Sequence, residues 1–348
     1  GAYGISLDSS SSFFSLGNAG DGGAITLNAG GDIKTVLANN GGARLIDSSS
    51  DSFSGNAGDG GTITMNAGKD IVTNNVKSSS SSDSGNARDG GTITFNAGGN
   101  IIARQIDSSS LSSEGNAGNG GTINLFARNG DIGEDLDFSL GKIVSFAVSE
   151  EQNAGKGGDI ILETNNSIIN LQFLTESSNS TSGTVQFKGS ENLEITNTQI
   201  VTSRQSIIID DSGAGAISIT PVEVNEKGQS GNVFITSNGN LTFNNSQIES
   251  DTKGENPAGN VNINSPGFIA FNNSRIISDS NSTGDAGNIN ISADKGINFN
   301  DANSGIFAQT SDAGKAGNIT VNTPELTLSD TAQITATATE TAANTEGG

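Results

Sequence analysis

The sequence predicts an all-β protein, a parallel β-helix or solenoid built from about eleven coils of three short strands each. A pattern of glycine followed by two apolar residues at alternate positions recurs along the chain, mostly at intervals of 25 to 38 residues. Alternation with a period of two indicates a strand with one buried face. Two further short runs follow each copy, and three strands in a unit of this length fit a stack of coils.

The first strand of each unit supplies the register of the predicted core. Ile63, Ile93 and Ile123 occupy equivalent positions in three successive units, so we expect them to be buried and stacked while the threonine before each faces solvent. The glycines that open the units are Gly23, Gly61, Gly91, Gly121, Gly158, Gly183, Gly231, Gly259, Gly287 and Gly317.

One interval is too long for a single unit. Gly183 and Gly231 are 48 residues apart, which predicts a hidden coil that begins with Ser206–Asp210 and continues with Gly215–Ile219. Coils stack at the interstrand spacing of about 4.8 Å, so eleven of them predict a rod of about 50 Å. A β-propeller needs four strands and about 40–50 residues per blade and fits less well.

We expect one repeat domain over residues 1–348, with a continuous solenoid from near Ile5 to near Ala338. Residues 1–157 form longer coils and residues 158–348 shorter, more regular ones. Serine-rich runs in the first region predict mobile, hydrated loops on one side of the rod. These runs are Ser9–Ser12, Ser48–Ser50, Ser78–Ser82 and Ser108–Ser110.

The stretch Asp131–Glu151 departs most from the repeat, and we expect the chain to leave the rod there. Asparagines also recur in register, and their side-chain amides are expected to hydrogen-bond along the rod axis. Those at the first bend of the unit are Asn56, Asn86 and Asn116.

Composition excludes several classes of function. The formal net charge is −22, which argues against nucleic acid, whose phosphates require basic patches, and against anionic membrane surfaces. No apolar run approaches 18 residues, so no membrane insertion is expected. The chain has no cysteine, which excludes disulfides and thiolate metal sites and fits an exported bacterial protein.

The units Ser54–Ile71 and Ala316–Ala338 resemble those of filamentous-haemagglutinin-like large exoproteins of the two-partner secretion type, with cyanobacterial-style repeats. The resemblance covers almost the whole chain and rests on the sequence of the repeat units. It implies a right-handed parallel β-helix that is secreted through a partner barrel in the outer membrane. It also implies a role in adhesion, aggregation or biofilm and filament structure at the cell surface.

The family's secretion domain carries Asn-Pro motifs and has no counterpart here. The only Asn-Pro pair in this sequence, Asn256–Pro257, lies in a repeat turn. Both ends also stop within the repeat pattern. We therefore expect this sequence to be an internal fragment of a longer protein.

The predicted function is a non-catalytic extracellular scaffold or adhesin segment that binds a cell-surface or glycan receptor and can self-associate end to end. The alternative is a carbohydrate-active β-helix, similar to polysaccharide lyases or hydrolases, with paired carboxylates for acid–base catalysis. The candidate pairs Glu134–Asp135, Glu150–Glu151 and Asp210–Asp211 are sequence neighbours, which strand alternation points apart. The chain also has no histidine. We therefore predict no catalytic residues.

No cofactor is expected, with calcium as the one ion considered. Asp21, Asp59 and Asp89 share one turn position, and stacked carboxylates about 5 Å apart would favour a shared Ca²⁺. The alternative is that each aspartate caps its own turn.

The outward-facing threonines also permit an ice-binding face, although only two rows are regular. Ordinary β-propensity explains the same residues. The two rows are Thr62 with Thr64 and Thr92 with Thr94.

Overall fold

The structure is a computed structural model that describes residues 7–13, 17–35, 45–133, 141–202, 206–210, 218–222, 229–252, 254–311 and 313–338. The described residues form strands, turns and bends without a helix, so the predicted all-β class is confirmed. None of them belongs to a helix of the length and hydrophobicity that a membrane crossing requires.

The strands are short, between two and seven residues. In chain order, those of the first region are β1 (Leu7–Asp8), β2 (Ser11–Phe13), β3 (Ala24–Ala29), β4 (Ile33–Thr35), β5 (Leu45–Asp47), β6 (Ser50–Ser52), β7 (Thr62–Ala67), β8 (Ile71–Lys77), β9 (Ser80–Ser82), β10 (Thr92–Ala97), β11 (Ile101–Asp107), β12 (Ser110–Ser112), β13 (Ile123–Ala127), β14 (Ile132–Gly133), β15 (Gly141–Val144) and β16 (Ala147–Ser149).

The strands of the second region continue the series. They are β17 (Ile160–Thr164), β18 (Ser167–Ile169), β19 (Leu171–Leu174), β20 (Val185–Gly189), β21 (Leu193–Thr196), β22 (Gln199–Val201), β23 (Ser206–Asp210), β24 (Ser218–Val222), β25 (Val233–Ser237), β26 (Leu241–Asn244), β27 (Gln247–Glu249), β28 (Val261–Ser265), β29 (Phe268–Asn272), β30 (Arg275–Ile277), β31 (Ile289–Ala293), β32 (Gly296–Phe299), β33 (Gly305–Phe307), β34 (Ile319–Asn322), β35 (Leu326–Leu328) and β36 (Gln333–Thr335).

Parallel sheets form the sides of a solenoid. The first sheet has ten strands, in the order β3-β7-β10-β13-β17-β20-β25-β28-β31-β34. A second sheet of 19 strands consists of two adjoining rows that merge at β8 and β11, and a third contains β2, β6, β9, β12 and β16. Within these three sheets each strand pairs with its equivalents in the adjacent coils, so the chain returns to the same side once per coil.

The predicted core register is confirmed. Ile63, Ile93 and Ile123 are fully buried, and Ile93 pairs with the other two in the parallel ladder. The threonine before each is exposed or half-buried. Later coils fill the interior with aromatic rings, of which Phe271 stacks on Phe243 and Phe299 with centroids 4.8 and 4.6 Å apart.

The predicted hidden coil is wrong. Strand β20 pairs directly with β25, and the flanking strands β21 and β22 pair with β26 and β27. Ser206–Asp210 and Ser218–Val222 instead form an antiparallel pair of their own. The first sheet therefore has ten strands among the described residues, and the long interval is an insertion between two adjacent coils.

The irregular stretch stays on the rod where the structure describes it. Strand β14 pairs with β11 and β18, β15 pairs with β11 and β19, and β16 pairs with β12. The prediction that the chain leaves the rod is wrong for these residues. Residues 134–140 lie outside the described part.

The serine-rich runs are not loops, and that prediction is wrong. Ser48–Ser50, Ser78–Ser80 and Ser108–Ser110 are fully buried, and Ser11, with the ends of the other runs, lies in the five-stranded third sheet. The first and third serine of each buried run direct their hydroxyl groups to the glycine-rich turn that begins their own unit. The Ser78 hydroxyl donates to the Gly61 carbonyl at 2.5 Å.

This contact repeats along the rod and defines a hydroxyl row, in which each member donates to the carbonyl of a unit-opening glycine. The members are Ser48, Ser78, Ser108, Ser145, Thr175, Thr202, Ser250 and Ser278, with Ala308 next in register. The glycines are required because a Cβ on Gly91 would overlap the Gly61 carbonyl and the Ser78 hydroxyl. Serine is small enough to fill the remaining space and still hydrogen-bond.

A second buried serine position ties the turn to the third sheet. The Ser80 hydroxyl donates to the Gly58 carbonyl at 2.7 Å and accepts the Arg88 backbone N–H at 2.8 Å. Two backbone groups that would otherwise be buried without a partner are satisfied by one small side chain.

Candidate functional site

The aspartates proposed for calcium form a row along one bend of the rod. Asp21 accepts the backbone N–H of Asp59 at 2.9 Å, and Asp59 accepts that of Asp89 at 3.2 Å. Asp89 in turn accepts the backbone and side-chain N–H groups of Asn119. Each carboxylate therefore bonds to the next coil rather than to its own turn, which corrects the capping alternative. Arg88 lies 4.0 Å from Asp21.

Among the described residues, no group of three or more carboxylate, histidine or cysteine side chains could hold a metal ion. Asp21 and Asp89 are exposed and Asp59 is half-buried. Calcium binding by these three residues stays a prediction.

The predicted asparagine row forms, but with different donors. Asn56 Oδ1 accepts the Asn86 backbone N–H at 2.9 Å, and Asn86 Oδ1 accepts that of Asn116 at 2.8 Å. Only the last pair adds the expected amide bond, from Asn116 Nδ2 to Asn86 Oδ1 at 3.2 Å. Like the aspartate row, this row fixes the bends of successive coils in register.

Of the carboxylates considered for catalysis, the structure describes three, Glu150, Glu151 and Asp210. Glu150 and Glu151 are exposed at the bend after β16. Glu134–Asp135 and Asp211 lie outside the described residues, while Asp210 ends the antiparallel strand β23. The threonines of β7 and β10 do stack in register on the outer face.

A groove that sequence analysis missed runs along the corner after the first sheet. Its wall is a ladder of side-chain amides, in which Asn66 Nδ2 donates to Asn28 Oδ1 at 2.7 Å and Asn96 Nδ2 donates to Asn66 Oδ1 at 2.8 Å. Its floor consists of small residues over three coils, namely Ala29, Gly30, Ala67, Gly68, Ala97 and Gly98.

The fourth coil breaks this pattern and ends the amide wall. Phe126 pairs with Asn96 in the ladder, so a half-buried aromatic ring follows three amides. Arg128 takes the position of Gly98 in the preceding coil and is exposed. The signal was in the sequence, because "TITFNAGG" in the third unit becomes "TINLFARN" in the fourth.

The charge of the groove differs from that of the whole chain. Its lining contains one cation, Arg128, and one carboxylate, Glu163, and the Glu163 carboxylate is 3.3 Å from the Lys188 ammonium. Asn165 also lines an adjoining groove that continues past the next coils and contains three carboxylates, those of Asp131, Glu191 and Glu194.

The sequence matches no model of a known protein family, no curated protein and no solved structure.

Proposed function

We propose that this chain is a non-catalytic extracellular scaffold, a segment of a surface adhesin that acts by contact along its length. The observation that supports this most is the even distribution of its chemistry. The asparagine and aspartate rows place like groups on successive early coils, about 4.8 Å apart. Repeated weak contacts along a rod sum to strong retention without any single strong site.

The resemblance to filamentous-haemagglutinin-like exoproteins is part of the same proposal. It supplies the export route, through an outer-membrane partner, and the setting, adhesion or biofilm structure at the cell surface. We also take the solenoid to be right-handed, because connections between parallel strands of one sheet are right-handed in about 98% of cases.

End-to-end self-association of the isolated chain belongs to the proposal as well. Leu326 and Leu328 in β35, the last strand of its row among the described residues, are 43% and 46% exposed. An exposed parallel edge with apolar side chains can pair with a second chain. Sedimentation that becomes faster with protein concentration in the parent chain, and not in a Leu326→Lys and Leu328→Lys variant, is the expected result.

The test of the main proposal has two arms. The first arm measures retention of the labelled chain on bacterial cells and on glycan-coated surfaces. The second arm incubates the chain with uncharged and acidic polysaccharides, with and without Ca²⁺, and assays for new polysaccharide chain ends. Retention without cleavage is expected. Cleavage that disappears on mutation of one carboxylate would overturn the scaffold and favour the carbohydrate-active alternative.

A further inference from the structure

A local exception in an otherwise repetitive surface lies at the amide-lined groove. We propose that this groove, from Asn28 to Asn165, binds an extended uncharged polysaccharide chain parallel to the rod axis, with Phe126 as a platform for one sugar ring. This inference rests on the proposed contact function and names its ligand class and its site.

The shape of the groove favours a linear polymer. Its lining residues come from five successive coils, which at about 4.8 Å per coil give a length of roughly 20 Å. The floor is flat because Gly68 and Gly98 stack so closely that a Cβ on either would overlap the carbonyl of the glycine in the coil before. A chain of sugar rings can therefore lie against backbone, at a depth that ordinary side chains would fill.

The polar chemistry favours hydroxyl groups as partners. Each amide of the wall has two N–H donors and an oxygen with two lone pairs, and the ladder from Asn28 through Asn66 to Asn96 uses one donor or one lone pair per contact. A sugar hydroxyl both donates and accepts, so it complements an amide in either role. Backbone N–H groups of these strands are committed to the neighbouring coils, which leaves no strand edge for an extended peptide.

Charge decides between an uncharged and an anionic chain. The lining contains one cation, Arg128, and one carboxylate, Glu163, which pairs with Lys188 at 3.3 Å, while the whole chain carries a formal charge of −22 that repels polyanions. The adjoining groove adds three carboxylates and no cation. An uncharged glycan can continue from one groove into the other, whereas a polyuronate or sulfated glycan would meet repulsion there.

Phe126 supplies the apolar contact that amides cannot. Its ring is half-buried at the end of the amide wall, and an aromatic face is a suitable surface for the apolar face of a sugar ring. Arg128 stands at the same end and can donate to ring or hydroxyl oxygens through its planar guanidinium. Neither residue is needed by the repeat, since the two preceding coils have asparagine and glycine at these positions.

The experiment uses the full chain with two substitutions that restore the repeat, Phe126→Asn and Arg128→Gly. Binding of β-linked gluco-oligosaccharides of two to six units is measured by calorimetry. Affinity is expected to increase with length up to about four units. Phe126→Asn should weaken binding about tenfold and Arg128→Gly by a smaller factor. The matched control is Phe234→Asn, since Phe234 is also a partly exposed ring on the outer face of the first sheet, 38% exposed, and lies outside both grooves.

The outcomes separate this inference from the proposed function. Thermal melts of all variants should match the parent, because the new residues already occupy equivalent positions in other coils. Equal affinity for acidic oligosaccharides, binding of an extended peptide instead, no binding of uncharged oligosaccharides, or equal loss with Phe234→Asn would overturn the groove assignment. Surface retention that persists in the Phe126→Asn and Arg128→Gly variant would keep the scaffold proposal while removing the groove from it.

Discussion

The early and late coils of the rod turn the same corner in different ways. In the second and third coils the corner lies inside one seven-residue strand, β8 or β11, and the pairing of these strands skips Asn74 and Arg104. In the later coils an asparagine with positive φ separates two short strands, as Asn245 does between β26 and β27 with a φ of 49°. The apolar ladder inside is the same in both regions.

The later corner has its own chemistry. Asn197, Asn245 and Asn273 adopt the left-handed region that asparagine tolerates better than most residues. The Asn273 amide donates to Asn245 Oδ1 at 2.7 Å, and a buried serine follows each of the last two. The apolar core pattern therefore defines the coil in both regions, whereas the backbone conformation of the corner differs between early and late coils.

The largest expected effect tests the apolar ladder, which the early and late coils share. Ile93 and Ile289 are fully buried at equivalent positions in an early and a late coil. Ile93→Asp and Ile289→Asp should each lower the free energy of unfolding by about 4 kcal/mol or more, because each buries a charge without a partner. Denaturant titration measures both.

The controls are the neighbouring outward positions, Thr92→Asp and Asn290→Asp, which should change stability by less than about 0.5 kcal/mol. If an isoleucine variant melted like the parent, the register of that region would be displaced by one residue.

The second effect distinguishes the two kinds of buried hydroxyl position, one tested in an early coil and one in a late coil. Ser80→Ala should cost about 2 kcal/mol, because the Gly58 carbonyl and the Arg88 N–H both lose their partner. Ser278→Ala should cost less than about 1 kcal/mol, since Ser278 donates only to carbonyls and the next position in its row is already Ala308. Chemical unfolding of the two variants side by side measures the difference.

A deletion of Ser78–Ser82 removes β9 and one member of the hydroxyl row, so we expect it to unfold the early coils. Circular dichroism that retains the parent's β signal and cooperative melt would contradict a structural role for these serines.

The core was predictable from sequence because its pattern is local and repeated. Alternation around Ile63 gives the buried face, and repetition 30 residues later gives the stacking partner. The serines were misassigned because polarity alone suggests exposure. What buries Ser78 is the Gly61 carbonyl, 17 residues earlier and on another side of the coil, and that relation has no local signature.

The prediction of a hidden coil was wrong for a related reason. Ser206–Asp210 has the composition of a coil strand, but pairing is decided by the neighbouring coils, and β20 and β25 already match each other over five residues. The groove could have been found from sequence, since Phe126 and Arg128 break a repeat that three coils otherwise keep.

The third effect concerns the corners themselves. The order of stability of the alanine and glycine variants should be opposite in the two regions. At Asn245, alanine should destabilise by about 1–2 kcal/mol because its Cβ disfavours the left-handed region, and glycine should be tolerated better. At Asn74, inside strand β8, glycine should be worse than alanine by about 0.5–1 kcal/mol. Thermal melts of the four variants measure the order. The same order at both sites would show that the two corners share one backbone geometry.

The smallest effect comes from an acidic residue of the late coils. Burial raises the pKa of Asp279, and the Gln309 backbone N–H, which donates to its carboxylate at 2.7 Å, opposes that rise only in part. A raised pKa means that the folded state holds the proton more tightly than the unfolded chain does. Stability from this group is therefore present at acidic pH and decreases as pH increases through the range between the unfolded and the folded pKa.

Asp279→Asn keeps an oxygen that can accept the Gln309 N–H and removes the charge that burial disfavours. The variant should be slightly more stable than the parent at pH 7, by less than about 1 kcal/mol, and the difference should disappear near pH 3, where the parent carboxyl is protonated in both states. Asp59→Asn is the matched control in the early coils, because Asp59 also accepts a backbone N–H from the next coil, at 3.2 Å. A gain for Asp279→Asn that is the same at both pH values would mean that packing, and not the carboxylate charge, sets the stability of this bend.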